Sequence, residues 1–331
     1  MRCGIKIGMR VLEAQEAFFL ARRPRKDSPH TTAAYRRDLH GINRLLAEDA
    51  GVEPEALVVD RLTAGALRSA FGRFADTHAK SSVLRAWSTW NQFLTFCVSE
   101  ALLPGNPMAA VARPKTPPLS PKPLRGEDTP ERLLSAVAAG ARRARDPWPE
   151  RDLLVVALGL VVGLRSAEMR ALRVGSIVGR PGERRVHVRG KGSRERSVPI
   201  ETAMERVVDD YLASCRRRFP LLRLSDDAAL LLDRRGRPIG RGGLEYLMRC
   251  CYRWAGLHDR VPAGANLHAL RHTFATRLAE DGASASEIMA LLGHASLATT
   301  QNYIQVTARE QRAAVASNRT YRAFPDRSPA G

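Results

Sequence analysis

Apolar residues recur every three to four positions through the first hundred residues, and helices are the simplest account of that period. Val11 to Ala21 forms one stripe. The next begins near Thr31, with Thr31 or Thr32 placed to cap it, and carries Tyr35, Leu39, Ile42, Leu45 and Leu46. A third is expected from about Thr63 to Ala75. A fourth, from Ser81 or Ser82 to Ala101, carries Leu84, Trp87, Phe93, Leu94, Cys97 and Val98. Pro104-Gly105-Asn106-Pro107 stops it, because proline lacks the amide donor and biases its predecessor away from helix. Arg113 to Pro123 is proline-rich, basic and free of acids, which predicts an extended linker. Beyond it, helices are expected at about 129–143, 150–163, from Glu168 to Leu172, and at 201–215, 241–256, 268–280, 284–292 and 296–303. Only once does the period fall to two. Arg185-Val186-His187-Val188-Arg189 alternates, Gly190-Lys191-Gly192-Ser193 can turn, and Arg194 to Ile200 can return as a second strand. The pattern predicts a mainly α fold with a small β-sheet, in two domains: helical residues 10–112, a linker at 113–124, and a mixed α/β domain at 125–323.

Charge adds a partner to this picture. The formal net charge is +19. Lysines and arginines in such surplus favour a polyanion, because neutralising phosphates releases condensed counterions. Nucleic acid is the first candidate and an anionic membrane surface the second. No apolar run approaches the roughly 18 residues of a membrane-spanning helix. The start of the chain lacks the apolar stretch of a secretory signal, and Met9 is a second candidate start. Five irregularly spaced cysteines, with no CxxC, predict free thiols and a reducing, cytoplasmic location. Cys250, Cys251 and His258 do not make a zinc site, since adjacent helical cysteines point apart and no fourth ligand is near. Neither a metal nor a cofactor is expected.

Six residues, read in order, carry candidate chemistry. Arg165 lies in Gly163-Leu164-Arg165-Ser166-Ala167-Glu168, after the apolar run Leu153 to Val162. Its fork matches phosphate oxygens in pairs and stays charged at any relevant pH. Glu168 is placed to orient an arginine, or simply to favour a helix start. Lys191 sits at the hairpin tip between glycines, either an ordinary turn lysine or a cation able to approach a ligand. His268 and Arg271, three apart on one helix, can meet one phosphate, with Leu270, Phe274 and Leu278 on the buried side. His272 is expected to point elsewhere. His294 follows Leu292-Gly293, and Tyr303 lies nine residues on. Residues 284–303 also read as a DNA-reading helix-turn-helix, which competes with a catalytic His294 and Tyr303. Taken together, two arginines, two histidines, a lysine and a tyrosine can cleave a phosphodiester without a metal. No Walker loop and no clustered acids for a two-metal nuclease occur.

With these residues placed, the chain resembles the tyrosine recombinase (phage integrase) family, in its compact Xer-like form. The resemblance rests on the segment around Arg165, then Gly190-Lys191-Gly192-Ser193-Arg194-Glu195-Arg196-Ser197-Val198-Pro199. It continues in His268-Ala269-Leu270-Arg271-His272-Thr273-Phe274-Ala275-Thr276, Leu292-Gly293-His294 and Thr299-Thr300-Gln301-Asn302-Tyr303. It implies a C-shaped clamp of a core-binding domain and a catalytic domain around double-stranded DNA. Arg165, Lys191, His268, Arg271, His294 and Tyr303 would be catalytic, with Tyr303 forming a 3′-phosphotyrosine. No cofactor would be needed. Four protomers would assemble in synapsis, with a paralogue or an accessory DNA-bending protein as further partners. The alternative is a non-catalytic DNA-binding regulator built on the same clamp.

Overall fold

The computed structural model describes residues 8–115, 121–140, 142–144, 146–190 and 195–293. The chain divides into two compact units, residues 1–118 and 119–331. Among the described residues the fold is mainly helical with one small sheet, as the periodicity predicts.

The first unit holds α1 (Val11–Ala21), α2 (Pro29–Ala50), α3 (Ala64–Thr77) and α4 (Lys80–Ser99). α2 begins before the expected threonines. Ser28 is its cap, its Oγ accepting the Thr31 N–H at 3.2 Å. Pro29 takes the first helical position, where its missing N–H has no partner to lose. The apolar stripes meet in one core that includes Phe18, Leu39, Ile42, Phe71, Trp90, Phe93, Leu94 and Cys97. Buried Asp38 accepts a two-nitrogen fork from Arg85 and the Thr89 hydroxyl.

The second unit holds α5 (Thr129–Ala138), α6 (Pro149–Leu160), α7 (Ser166–Ala171), β1 (Ile177–Val178), β2 (Arg185–Arg189) and β3 (Glu195–Pro199). It continues with α8 (Thr202–Arg218), α9 (Arg241–Trp254), α10 (Asn266–Glu280) and α11 (Ala285–Leu292). α5 ends five residues early, at a left-handed Gly140 with φ +67°. The strands form an antiparallel sheet in the order β1-β2-β3. Val186 faces Val198, and Val188 faces Arg196. The three valines are buried, so this side of the sheet looks into the core. β1 was not anticipated, since two residues carry no readable period.

Two glycines let α10 approach α6. A Cβ on Gly159 would lie 2.5 Å from Leu270 Cδ1, and one on Gly163 would lie 2.3 Å from Phe274 Cδ1. Gly163 also has φ +67°, which turns the chain out of α6 toward α7. Ser284 caps α11 through the Glu287 N–H, with Glu287 reaching back to the Ser284 N–H. Cys97, Cys215 and Cys251 are buried and unpaired. Burial pushes the thiols of Cys97 and Cys251 up to about 12. Among the described residues, no helix is long and apolar enough to cross a membrane.

Candidate active site

The site gathers around Glu168. Its side chain is only 5% exposed, at the first turn of α7. Arg165 precedes that helix and donates twice, from its backbone N–H to Oε2 and from Nη1 to Oε1, both at 2.8 Å. Arg196, reaching in from β3, donates Nη1 to Oε1 at 2.9 Å and Nη2 to Oε2 at 2.8 Å. Arg271 on α10 brings its Nη1 within 3.7 Å of Oε2. One carboxylate thus stands among three guanidiniums. Burial alone would raise its pKa. The Arg196 fork, the Arg165 N–H and the nearby positive charge outweigh it and hold the carboxyl at about 2.

The arginines differ in what remains open. Arg271 is 4% exposed and anchored by two carbonyls, Nη1 to Gly163 O at 2.5 Å and Nη2 to Leu292 O at 2.6 Å. It therefore ties the turn after α6 to the end of α11. Arg165 is 37% exposed, and its Nε and Nη2 have no partner among the described residues. That leaves part of a fixed, oriented fork facing solvent, the geometry that binds two phosphate oxygens.

His268 lies one turn before Arg271 on α10, on the exposed side. Loss of hydration, then the charges of Arg271 and Arg165, lower its pKa, so the imidazole is neutral at physiological pH. His272 does not point away as expected. It lies one turn along the same face, its ring 6.3 Å from that of His268. Burial and then the charges of His268, Arg271 and Lys122 hold it at about 4. Four residues separate the two histidines, and that spacing, not adjacency to Arg271, decides the face.

The structure therefore brings together Arg165, His268 and Arg271. Lys191, His294 and Tyr303 lie outside the described residues, as do the expected helix at 296–303 and the tip of the hairpin. The described chain stops at Gly190 and resumes at Glu195 on either side of Lys191, and ends at Gly293 before His294. Arg196 was not singled out from the sequence. Its signal was available: in Arg196, Val198 and Ile200 a charge occupies the first place of a core-facing alternation. Among the described residues, no three His, Cys, Asp or Glu side chains gather as a metal site would need.

Comparisons with known proteins find a family match, sequence relatives and structural neighbours. The phage integrase family matches residues 126–310. The chain is 34% identical over 287 residues to a tyrosine recombinase XerC of Mycobacterium tuberculosis, covering 86% of this chain and 91% of that one. It is 35% identical over 288 residues to XerC of Myxococcus xanthus, covering 85% and 88%. Among solved structures, the XerH site-specific recombinase in a post-cleavage complex with its difH substrate gives a TM-score of 0.71 at 16% identity, over 96% of this chain and 91% of that one. A lambda integrase tetramer bound to a Holliday junction gives 0.68 at 18% identity, over 90% and 78%.

Proposed function

This chain belongs to the phage integrase family and is a tyrosine recombinase that carries out site-specific DNA recombination, and from that premise we propose how its residues divide the work. Residues 10–112 grip the duplex as a core-binding domain, residues 113–124 link, and residues 125–323 catalyse. The substrate is double-stranded DNA. Arg165 and Arg271 hold the non-bridging oxygens of the scissile phosphate, and His294 adds a third donor. The Tyr303 hydroxyl attacks phosphorus. Its proton passes to neutral His268 while the P–O5′ bond breaks, and Lys191 protonates the departing 5′ oxygen. The product is a 3′-phosphotyrosine and a free 5′-hydroxyl. Attack by a 5′-hydroxyl from the partner duplex reverses the sequence and frees the tyrosine. Each step exchanges one phosphate ester for another, so no high-energy cofactor is consumed. Exchange between two duplexes calls for four protomers, with a paralogue or DNA-bending protein able to assist. The work is done where the DNA lies, in the cytoplasm.

The observation that most supports this reading is the half-open Arg165 fork fixed by buried Glu168, beside Arg271 and a neutral His268. Charge spread over the oxygens of a five-coordinate phosphoryl group is what preorganised cations stabilise best. A nicked suicide substrate, incubated with the protein, should give a covalent protein–DNA band on a denaturing gel. Tyr303→Phe should bind the same DNA and give no band. A band that survives in the phenylalanine variant sinks the assignment of Tyr303.

A further inference from the structure

Arg196 is the one member of the cationic cluster to which the proposed chemistry gives no task. It stands on the core-facing side of β3, opposite buried Val188 and in line with buried Val198 and Ile200. A guanidinium there is costly unless its charge is met. Its side chain is 8% exposed, and Glu168 meets it fork to fork. The same carboxylate holds Arg165 by the backbone and by the side chain. On its other side the Arg196 stem lies against the turn that leads to His294. A Cβ at Gly293 would come within 3.1 Å of Arg196 Cδ and 3.2 Å of Nη1, and Gly293 itself has φ +62°. In the sequence Arg196 also lies five residues after Lys191.

We propose that Arg196 is a positioning residue for strand cleavage. Its fork fixes the carboxylate that aims Arg165, and its stem sets the Gly293 turn from which His294 follows. The inference rests on the recombinase chemistry proposed above. A purely structural role is the competing account. In that account Arg196 only neutralises a buried acid, and any neutral pair of similar shape would serve.

Three variants separate the two accounts: Arg196→Gln, Arg196→Lys, and the double variant Glu168→Gln/Arg196→Gln. Each is measured for melting temperature, for binding to the DNA site, and for the single-turnover rate of covalent adduct formation on the suicide substrate. Arg196→Gln should bind DNA within a few-fold of wild type and cleave slower by on the order of 10²-fold, the penalty for small displacements of catalytic groups. Arg196→Lys keeps the charge without the fork and should fall between. The double variant removes the uncompensated buried carboxylate, so it should melt above Arg196→Gln, yet it should cleave no faster. The pH profile gives a second reading. Glu168 faces Arg165 before α7, Arg196 from β3 and Arg271 from α10, and it borders a hollow lined by Arg173, His187, Arg189, Asp226 and Asp227. Without Arg196 the carboxyl protonates more readily, so the acid limb of cleavage should move to higher pH. These neighbours are the same in both proteins and cancel in the comparison. The proposal is overturned if the double variant regains cleavage along with its melting temperature. It is also overturned if Arg196→Gln cleaves at the wild-type rate, or loses rate only in step with its folded fraction and with an unmoved pH profile. Failure of the wild type to form any adduct is a different result, which removes the recombinase reading and this inference with it.

Discussion

Burial and ionisation oppose each other at Glu168, and the outcome sets how the site responds to acid. Its folded pKa is about 2, against 4.5 for the unperturbed group. A depressed acid contributes stability that is present above the higher value and is lost as pH falls through the lower one. Between pH 4.5 and 2 the protein should therefore lose about 3 kcal/mol through this one group, readable as a falling urea midpoint. In Glu168→Gln that segment of the pH–stability curve should flatten. An unchanged slope would mean that the arginines do not hold the carboxylate. Lys191 makes a different kind of claim, about a proton. If it protonates the 5′ oxygen, Lys191→Ala should cleave ordinary DNA more slowly by about 10²–10⁴-fold. Replacing the bridging 5′ oxygen by sulfur gives a leaving group that needs no proton. The lysine variant should then recover toward the wild-type rate, while Arg165→Ala and Arg271→Ala stay slow, since their task is charge stabilisation. Equal rescue of all three would return Lys191 to an ordinary turn residue.

The packing of α6 against α10 is what carries Arg271 to the Gly163 carbonyl, and two missing side chains permit it. Gly163→Ala should lose about 3 kcal/mol or more, because it adds left-handed strain to a collision with Phe274. Gly242→Ala in α9, where nothing lies within 4 Å, should be neutral or slightly stabilising in the same urea titrations. If both substitutions cost the same, close packing at Gly163 is not the reason for the glycine. These elements also show what could be read beforehand. α1, β2 and the start of α3 at Thr63 follow directly from period and capping residue. α2 starts ahead of its threonines because Ser28-Pro29 is as good a start as Thr31, and the choice is made by which oxygen reaches an orphan N–H. Arg165, His268 and Arg271 were legible as types at spacings. Their meeting point was not. Local pattern gives Glu168 one arginine to orient or a helix start to favour, and the arrival of Arg196 from 28 residues later is set by strand register against α7, which local pattern does not encode.

Across the whole chain, the surplus of +19 is only partly available to a ligand. In the helical unit Arg36 pairs with Glu16, Arg73 with Glu48 and Asp49, and Arg85 with Asp38. Arg37 and Lys80 have no ion-pair partner among the described residues. Binding should still fall steeply with salt, by about 10³–10⁵-fold between 50 and 200 mM if six to ten phosphates are neutralised. A log–log slope near zero would show that the surplus charge does not face DNA. The buried thiols add something independent of DNA. Cys97 sits in the core of the first unit, and Cys215 and Cys251 in that of the second. Only a thiolate reacts with an alkylating reagent, and burial raises all three pKa values and closes off access. Each core thus carries its own natural stopwatch. The rate at which a given cysteine is alkylated in the native protein reports how often its unit opens, so the two halves of the chain can be timed separately in one tube by mass spectrometry, with no label engineered into either.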